Sequence, residues 1–325
     1  MGGFRRIKMK NEKLHIRGVC FGEVLWDNLP TGRKLGGAPL NVAYHLNTLG
    51  ISTDVLTRVG NDSDGDGILE LCAALNVPLR LFQKEDVFAT STVEVHIDEN
   101  RDVRYEIVFP VAWDYIAVGE SERKVVAEAD FFVFGSLSSR HEVSYRSLIS
   151  LLHKANYKVL DVNLRSPFYS QERIFELLGY ADLVKMNEEE LQIIADWMLL
   201  PSPFTDREKA GKVMEAFDVE ELIVTYGGSG AIYHSRTGNL SYHFPAYRVE
   251  VKDTIGSGDS FLAAFLSKRL QSDRHFDPEE VMEFAATLSA YVTQSEGACP
   301  GYDAKAINRF QWLTPLYRKM GEEYG

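Results

Sequence analysis

The feature of this sequence that most restricts its fold is a set of short, almost uninterrupted apolar runs. They are "DFFVFGS" (Asp130–Ser136), "YKVLDVN" (Tyr157–Asn163), "ADLVKMN" (Ala181–Asn187) and "ELIVTYGG" (Glu221–Gly228), with helix-like stretches between them. A strand that is apolar on both faces must be covered on both, and parallel neighbours need long crossover connections. The pattern predicts an α/β fold with three layers, α/β/α, around a mainly parallel central sheet. Earlier segments agree. Leu14–Asp27 reads as a strand or strand pair whose end, "GEVLWD", supplies Glu23 and Asp27. Ala38–Gly50 reads as a helix stopped by Gly50, and Ser52–Gly60 as a strand. Asp64–Asn76 carries Ile68, Leu69, Leu71, Cys72 and Leu75 at helical spacing.

One region breaks the alternation. Thr90–Asp98 and Asp102–Phe109 each alternate apolar and polar residues with period two around the turn "ENR". This predicts an antiparallel hairpin. It is either an edge of the main sheet or, as insertions in α/β folds often are, a lid over a pocket.

The formal net charge of −12 disfavours nucleic acid or an anionic membrane as partner, since both select a basic face. A small anionic substrate needs only a local positive site. Cys20, Cys72 and Cys299 are too dispersed for a disulfide framework or a zinc site, which points to a reducing, cytoplasmic compartment. The basic start "MGGFRRIKMKNEK" lacks an apolar core and reads as a flexible leader over residues 1–13. No apolar run approaches a membrane-spanning length.

In an open parallel sheet, ligands bind beyond the carboxyl ends of the strands. Those ends are polar here: Asp161, Asn163 and Arg165; Lys185, Asn187 and Glu190; Thr225, Gly227, Gly228 and Gly230. Taken alone, Asn187 reads as a helix N-cap. P-loop, dinucleotide and zinc-protease motifs are absent. The informative turn is "KDTIGSGDSFLAAFL" (Lys252–Leu266). Its apolar run is helical. Gly256, Ser257 and Gly258 therefore present backbone N–H groups at a helix N-terminus, which is an anion site. Asp259 lies beside that anion, either as a cap or as a base.

Two segments carry a family resemblance: Leu35–Gly67, "LGGAPLNVAYHLNTLGISTDVLTRVGNDSDGDG", and Val251–Leu266, "VKDTIGSGDSFLAAFL". With "FGEVLWD", "DVNLR" and "KMNEEEL" between them, the chain resembles the ribokinase-like (PfkB) sugar kinases, and most of all the fructokinases. The matches run in family order from residue 20 to about residue 300. The resemblance implies one kinase domain over residues 14–320 with a small β-sheet lid that includes the hairpin. It implies that Asp259 is the catalytic base, with Gly256, Ser257 and Gly258 as anion hole and Arg165 beside the transferring phosphate. Asp27, Gly37, Asn41 and Asn163 then lie around the sugar. Lys185, Asn187, Thr225, Gly227 and Gly230 line the nucleotide, and Asn187 with Glu190 organises Mg2+ through water. A potassium or other monovalent ion is expected on Asp253 and Ile255, with the segment Ser295–Gly301, Ser295 and Gly297 among it, supplying backbone carbonyls, although Gly301 stands where relatives can have a serine.

The expected reaction is transfer of the γ-phosphoryl of MgATP to the primary hydroxyl of a sugar, D-fructose before others. Ribose or a sugar acid such as 2-keto-3-deoxygluconate is the alternative, with Arg104 of the hairpin as a cation for an acid. A non-catalytic sugar sensor would lack the base or the anion hole, and both are present. Lid hairpins of this family often pair between subunits, so a homodimer is expected.

Overall fold

The computed structural model describes residues 15–29, 32–97, 103–201, 203–272, 276–303 and 307. The leader at 1–13, the "ENR" turn, the side chain of Arg104 and the end of the expected domain at 320 lie outside the described residues.

The chain opens with β1 (Arg17–Phe21), β2 (Leu25–Leu29), β3 (Gly32–Gly36), α1 (Ala38–Thr48), β4 (Ser52–Gly60), α2 (Ser63–Ala74) and β5 (Phe82–Glu85). The expected hairpin follows as β6 (Ser91–Ile97) and β7 (Val103–Ile107). Next come α3 (Glu120–Glu128), β8 (Phe131–Gly135), α4 (Glu142–Leu152), β9 (Tyr157–Asp161), α5 (Gln171–Leu178), β10 (Leu183–Asn187), α6 (Glu188–Trp197), α7 (Asp206–Phe217) and β11 (Glu221–Thr225). The antiparallel pair β12 (Ala231–Ser235) and β13 (Leu240–Phe244) precedes α8 (Ser257–Gln271) and α9 (Pro278–Thr293).

Among the described residues, nine strands form one sheet in the order β13-β12-β11-β10-β9-β8-β1-β4-β5. It is parallel except at β12 and β13. The apolar runs are explained by its two cores. Val133, Val159, Leu183 and Ile223 point to the core built with α1, α2, α8 and α9. Their neighbours Phe132 and Phe134, Leu160, Val184 and Met186, and Leu222 and Val224 point to the core built with α3 through α7. Successive side chains alternate faces, so a strand covered twice is apolar throughout. α8 is buried continuously from Ser260 to Ser267, as befits a helix with apolar neighbours all round.

The hairpin is not an edge of the main sheet. Among the described residues it belongs to a smaller four-stranded sheet in the order β3-β2-β6-β7. This corrects one expectation. The first main-sheet strand ends at Phe21, and Asp27 lies on β2 of the smaller sheet. Gly22, at φ 145°, turns the chain from one sheet to the other. The smaller sheet is anchored to α2: Trp26 Nε1 donates to the Asp64 carbonyl at 3.0 Å, and Arg33 forms a two-pronged ion pair with the Asp64 carboxylate.

Candidate active site

Asp161 ends β9, and Lys185 lies directly opposite it on β10. The Lys185 ammonium donates to both Asp161 oxygens, at 3.0 and 3.1 Å, and both residues are buried. A side chain at Gly258 would stand 2.9 Å from Lys185 Nζ, so glycine there lets the ammonium approach the first turn of α8. Burial opposes the Lys185 charge, but Asp161, Glu190 and Asp259 outweigh it and hold the ammonium above its ordinary value.

Asp259 lies in that first turn. Burial and the Asp161 charge push its carboxyl up to about 6, against the pull of Lys185, Asn41 and Arg165. Asn41, in the second turn of α1, donates its amide to Asp259 Oδ2 at 2.8 Å. The Asn41 carbonyl in turn accepts the Cys299 thiol at 3.4 Å. The residue expected at the sugar thus also holds the carboxyl at the centre of the site.

The turn before α8 departs from expectation at one amide. Ser257 N–H donates back to the Thr254 carbonyl at 3.3 Å and closes a turn. The amides of Gly256, Gly258 and Asp259 have no acceptor among the described residues. The free donors are therefore these three, with Asp259 replacing Ser257, because the tight turn consumes the middle amide. Gly256 has φ 76°, and a Cβ there would fall 2.5 Å from Ala298 Cβ. Gly256→Ala is expected to cost about 1–3 kcal/mol and to lower turnover by displacing these amides. Thermal unfolding and an ADP-release assay check this, and an unchanged Tm would show that the turn tolerates the methyl group.

On the other side, the Asp27 carboxylate rests on Gly36, where a Cβ would lie 2.4 Å from Oδ2. Burial raises Asp27 to about 6, with Arg165 opposing and Asp253 adding to the shift. Gly37 is the N-cap of α1. Glu23, after β1, is buried, and burial raises it to about 7. Among the described residues its Oε2 has no hydrogen-bond partner.

Asn163 follows β9 in the left-handed region, at φ 42°, and its carbonyl accepts the Ser136 hydroxyl at 3.3 Å. Arg165 is exposed and, among the described residues, pairs with no carboxylate. Its charge nevertheless reaches Glu23, Asp27 and Asp259. Asn187 lies opposite Thr225 on the neighbouring strand. Gly227 is exposed in the turn after β11, and the Gly230 carbonyl accepts the Tyr226 amide at 2.8 Å.

Asn187 and Glu190 are first of all a capping box for α6. Asn187 Oδ1 accepts the Glu190 amide, and Glu190 Oε2 accepts the Asn187 amide, each at 2.8 Å. Glu190 Oε1 accepts the Leu164 amide at 2.8 Å, and burial holds its carboxyl above the usual range. Each oxygen keeps a second lone pair, so the pair fits water-mediated binding of Mg2+. Among the described residues no cluster of three or more metal-type side chains exists.

The expected monovalent-ion segment is folded together by Asp253. Its Oδ1 accepts the Ile255 amide at 3.0 Å and its Oδ2 the Gly297 amide at 3.1 Å. The Ser295 hydroxyl donates to the Tyr291 carbonyl, and the Gly301 carbonyl accepts the Tyr291 hydroxyl, both at 2.9 Å. Lys34 of β3 stands at 3.6 Å from Asp253 Oδ2. Sequence reasoning missed Lys34 and Cys299. Only the registers and loop packing bring them here, and no local pattern marks either one.

A family model described as pfkB family carbohydrate kinase matches residues 15–305. A fructokinase of Escherichia coli is 24% identical over 294 residues, covering 85% of this chain and 93% of that protein. Two solved structures superpose with TM-scores of 0.76. One is a fructokinase double mutant from Vibrio cholerae in fructose, ADP and potassium ion bound form, 23% identical, covering 91% of this chain and 98% of that one. The other is a fructokinase with bound ATP from Xylella fastidiosa, 22% identical, covering 92% and 100%. The chain belongs to the pfkB family of carbohydrate kinases.

Proposed function

We propose that the protein transfers the γ-phosphoryl group of MgATP directly to the primary hydroxyl of D-fructose. The observation that carries this reading is Asp259. It is a half-buried carboxyl with its proton affinity raised to about 6, held by Asn41 in the first turn of a helix and beside the free amides of Gly256 and Gly258. A base poised near neutrality is ionised at working pH yet still takes a proton, an effect worth roughly 10²–10⁴-fold. The free amides and Arg165 face the charge that develops on the moving phosphoryl group; one such donor is typically worth roughly 10²–10³-fold. Mg2+, on the side of Asn187 and Glu190, would neutralise phosphate charge when bound. Thr225, Gly227 and Gly230 line the nucleotide, and Asp27, Gly37 and Asn163 the sugar.

The smaller sheet serves as the lid, and its closure excludes water as a competing acceptor. The alternating hairpin supports a homodimer that pairs lids. Fructose is favoured by the relatives named fructokinase. Lys34 shares the face of Asp27 and is the cation that a sugar acid would use, but it already faces Asp253. This favours a neutral sugar.

The test is ADP release with fructose, ribose, mannose and ketodeoxygluconate, where fructose is expected to show the highest kcat/KM. Asp27→Ala is expected to raise the fructose KM by roughly 10–100-fold with little change in kcat, since hydrogen bonds to a charged group are worth about 1.5–3 kcal/mol. An unchanged KM returns Asp27 to a structural role, and a preference for ketodeoxygluconate selects the sugar acid.

A further inference from the structure

We propose that Lys34 is a positioning residue that supplies, from within the chain, the positive charge at the Asp253 turn, so that the turn needs no monovalent cation. The proposal rests on reading the turn before α8 as the phosphoryl cradle. Asp253 joins the two loops that form this region. One oxygen takes the Ile255 amide at the entry to the turn, and the other takes the Gly297 amide. The carboxylate is largely screened from solvent, with its side chain 16% exposed, and a screened charge needs a counter-charge.

Lys34 provides one. Its ammonium is 3.6 Å from Asp253 Oδ2, its side chain is 26% exposed, and its stem lies over Gly297, where a Cβ would stand 3.4 Å from Lys34 Cδ. The β2–β3 ladder fixes this placement, because Lys34 is directly opposite Asp27. Asp253 and Asp27 repel, since Asp253 adds to the upward shift of Asp27.

The Asp253 carboxylate fits a bound cation poorly. An ion on Asp253 would share the carboxylate with the ammonium, and like charges repel strongly at that range. A structural neighbour has been solved with potassium ion; at Asp253 of this chain a lysine ammonium stands at 3.6 Å.

The test compares wild type, Lys34→Met and Lys34→Arg in potassium and in tetramethylammonium chloride at about 0.1 M ionic strength. It reads both Tm and turnover of D-fructose with MgATP. Wild type is expected to show the same Tm in both salts and less than about a twofold change in turnover. Lys34→Met is expected to lose roughly 10–100-fold in tetramethylammonium. Potassium should then raise its Tm and restore part of its turnover, while Lys34→Arg stays indifferent to the salt. A wild type activated several-fold by potassium overturns the proposal, and so does a Lys34→Met protein whose Tm and turnover ignore potassium. If no variant phosphorylates fructose in either salt but potassium still raises the Tm of Lys34→Met alone, the fructose reading fails and the assignment of Lys34 stands.

Discussion

Asp259→Asn is expected to lower turnover at saturating sugar and MgATP by roughly 10²–10⁴-fold while making the protein more stable at neutral pH. Both effects have one cause. Burial first, and the Asp161 charge second, raise the Asp259 carboxyl from 3.8 to about 6. The folded state therefore binds this proton more tightly than the unfolded state. The contribution to stability is full below the unfolded value of 3.8 and is lost as pH rises through about 6. At pH 8 the ionised carboxylate destabilises the fold by something on the order of 1–3 kcal/mol. Asparagine removes that charge and keeps an acceptor for Asn41. Thermal unfolding from pH 4 to pH 8 should show a Tm advantage for the variant that grows with pH and vanishes near pH 4. A variant less stable than wild type at pH 8, or one with near-wild-type turnover, contradicts this account of the residue.

The second large effect is expected at Lys185. Its ammonium is the buried counter-charge to Asp161, Glu190 and Asp259. Lys185→Met leaves these carboxylates without it, and stranding a buried charge in this way costs about 3–5 kcal/mol. Asp259 should also move upward, carrying the acid limb of kcat/KM to higher pH. Adding Asp161→Asn removes the stranded partner, so the double variant should regain a large part of the stability. The two substitutions are in direct contact and cannot be additive. Chemical denaturation of the four proteins in this cycle measures the coupling. Equal stability of Lys185→Met and wild type would mean that the pair is solvated rather than buried.

β8, β9, β10 and β11 were legible within a few residues because burial on both faces writes a continuous apolar run. β5, "FQKE", carries no such signal, and β12 and β13 alternate weakly at the end of the main sheet. β1 and β2 read as one stretch, since the turn at Gly22 that sends them to different sheets is a backbone event. In the site, Asp259 and its glycine turn were visible because a helix N-terminus is a local pattern. The Lys185–Asp161 pairing depends on strand register, and Lys34 against Asp253 depends on how the smaller sheet packs against the turn before α8. Neither is encoded in a short window. Asn187 and Glu190 show the opposite difficulty: a capping box and a magnesium-organising pair have the same spacing.

The central claim is direct transfer to a sugar hydroxyl with Asp259 taking the proton. The most direct measurement is a single turnover of ATP labelled in its γ-phosphoryl group with D-fructose and Mg2+, the products resolved by phosphorus NMR. The account predicts that wild type places the label on the primary oxygen of the sugar, as fructose 6-phosphate, and that Asp259→Asn leaves it on ATP. Label released as inorganic phosphate, or the same sugar ester formed at an undiminished rate by Asp259→Asn, would contradict it.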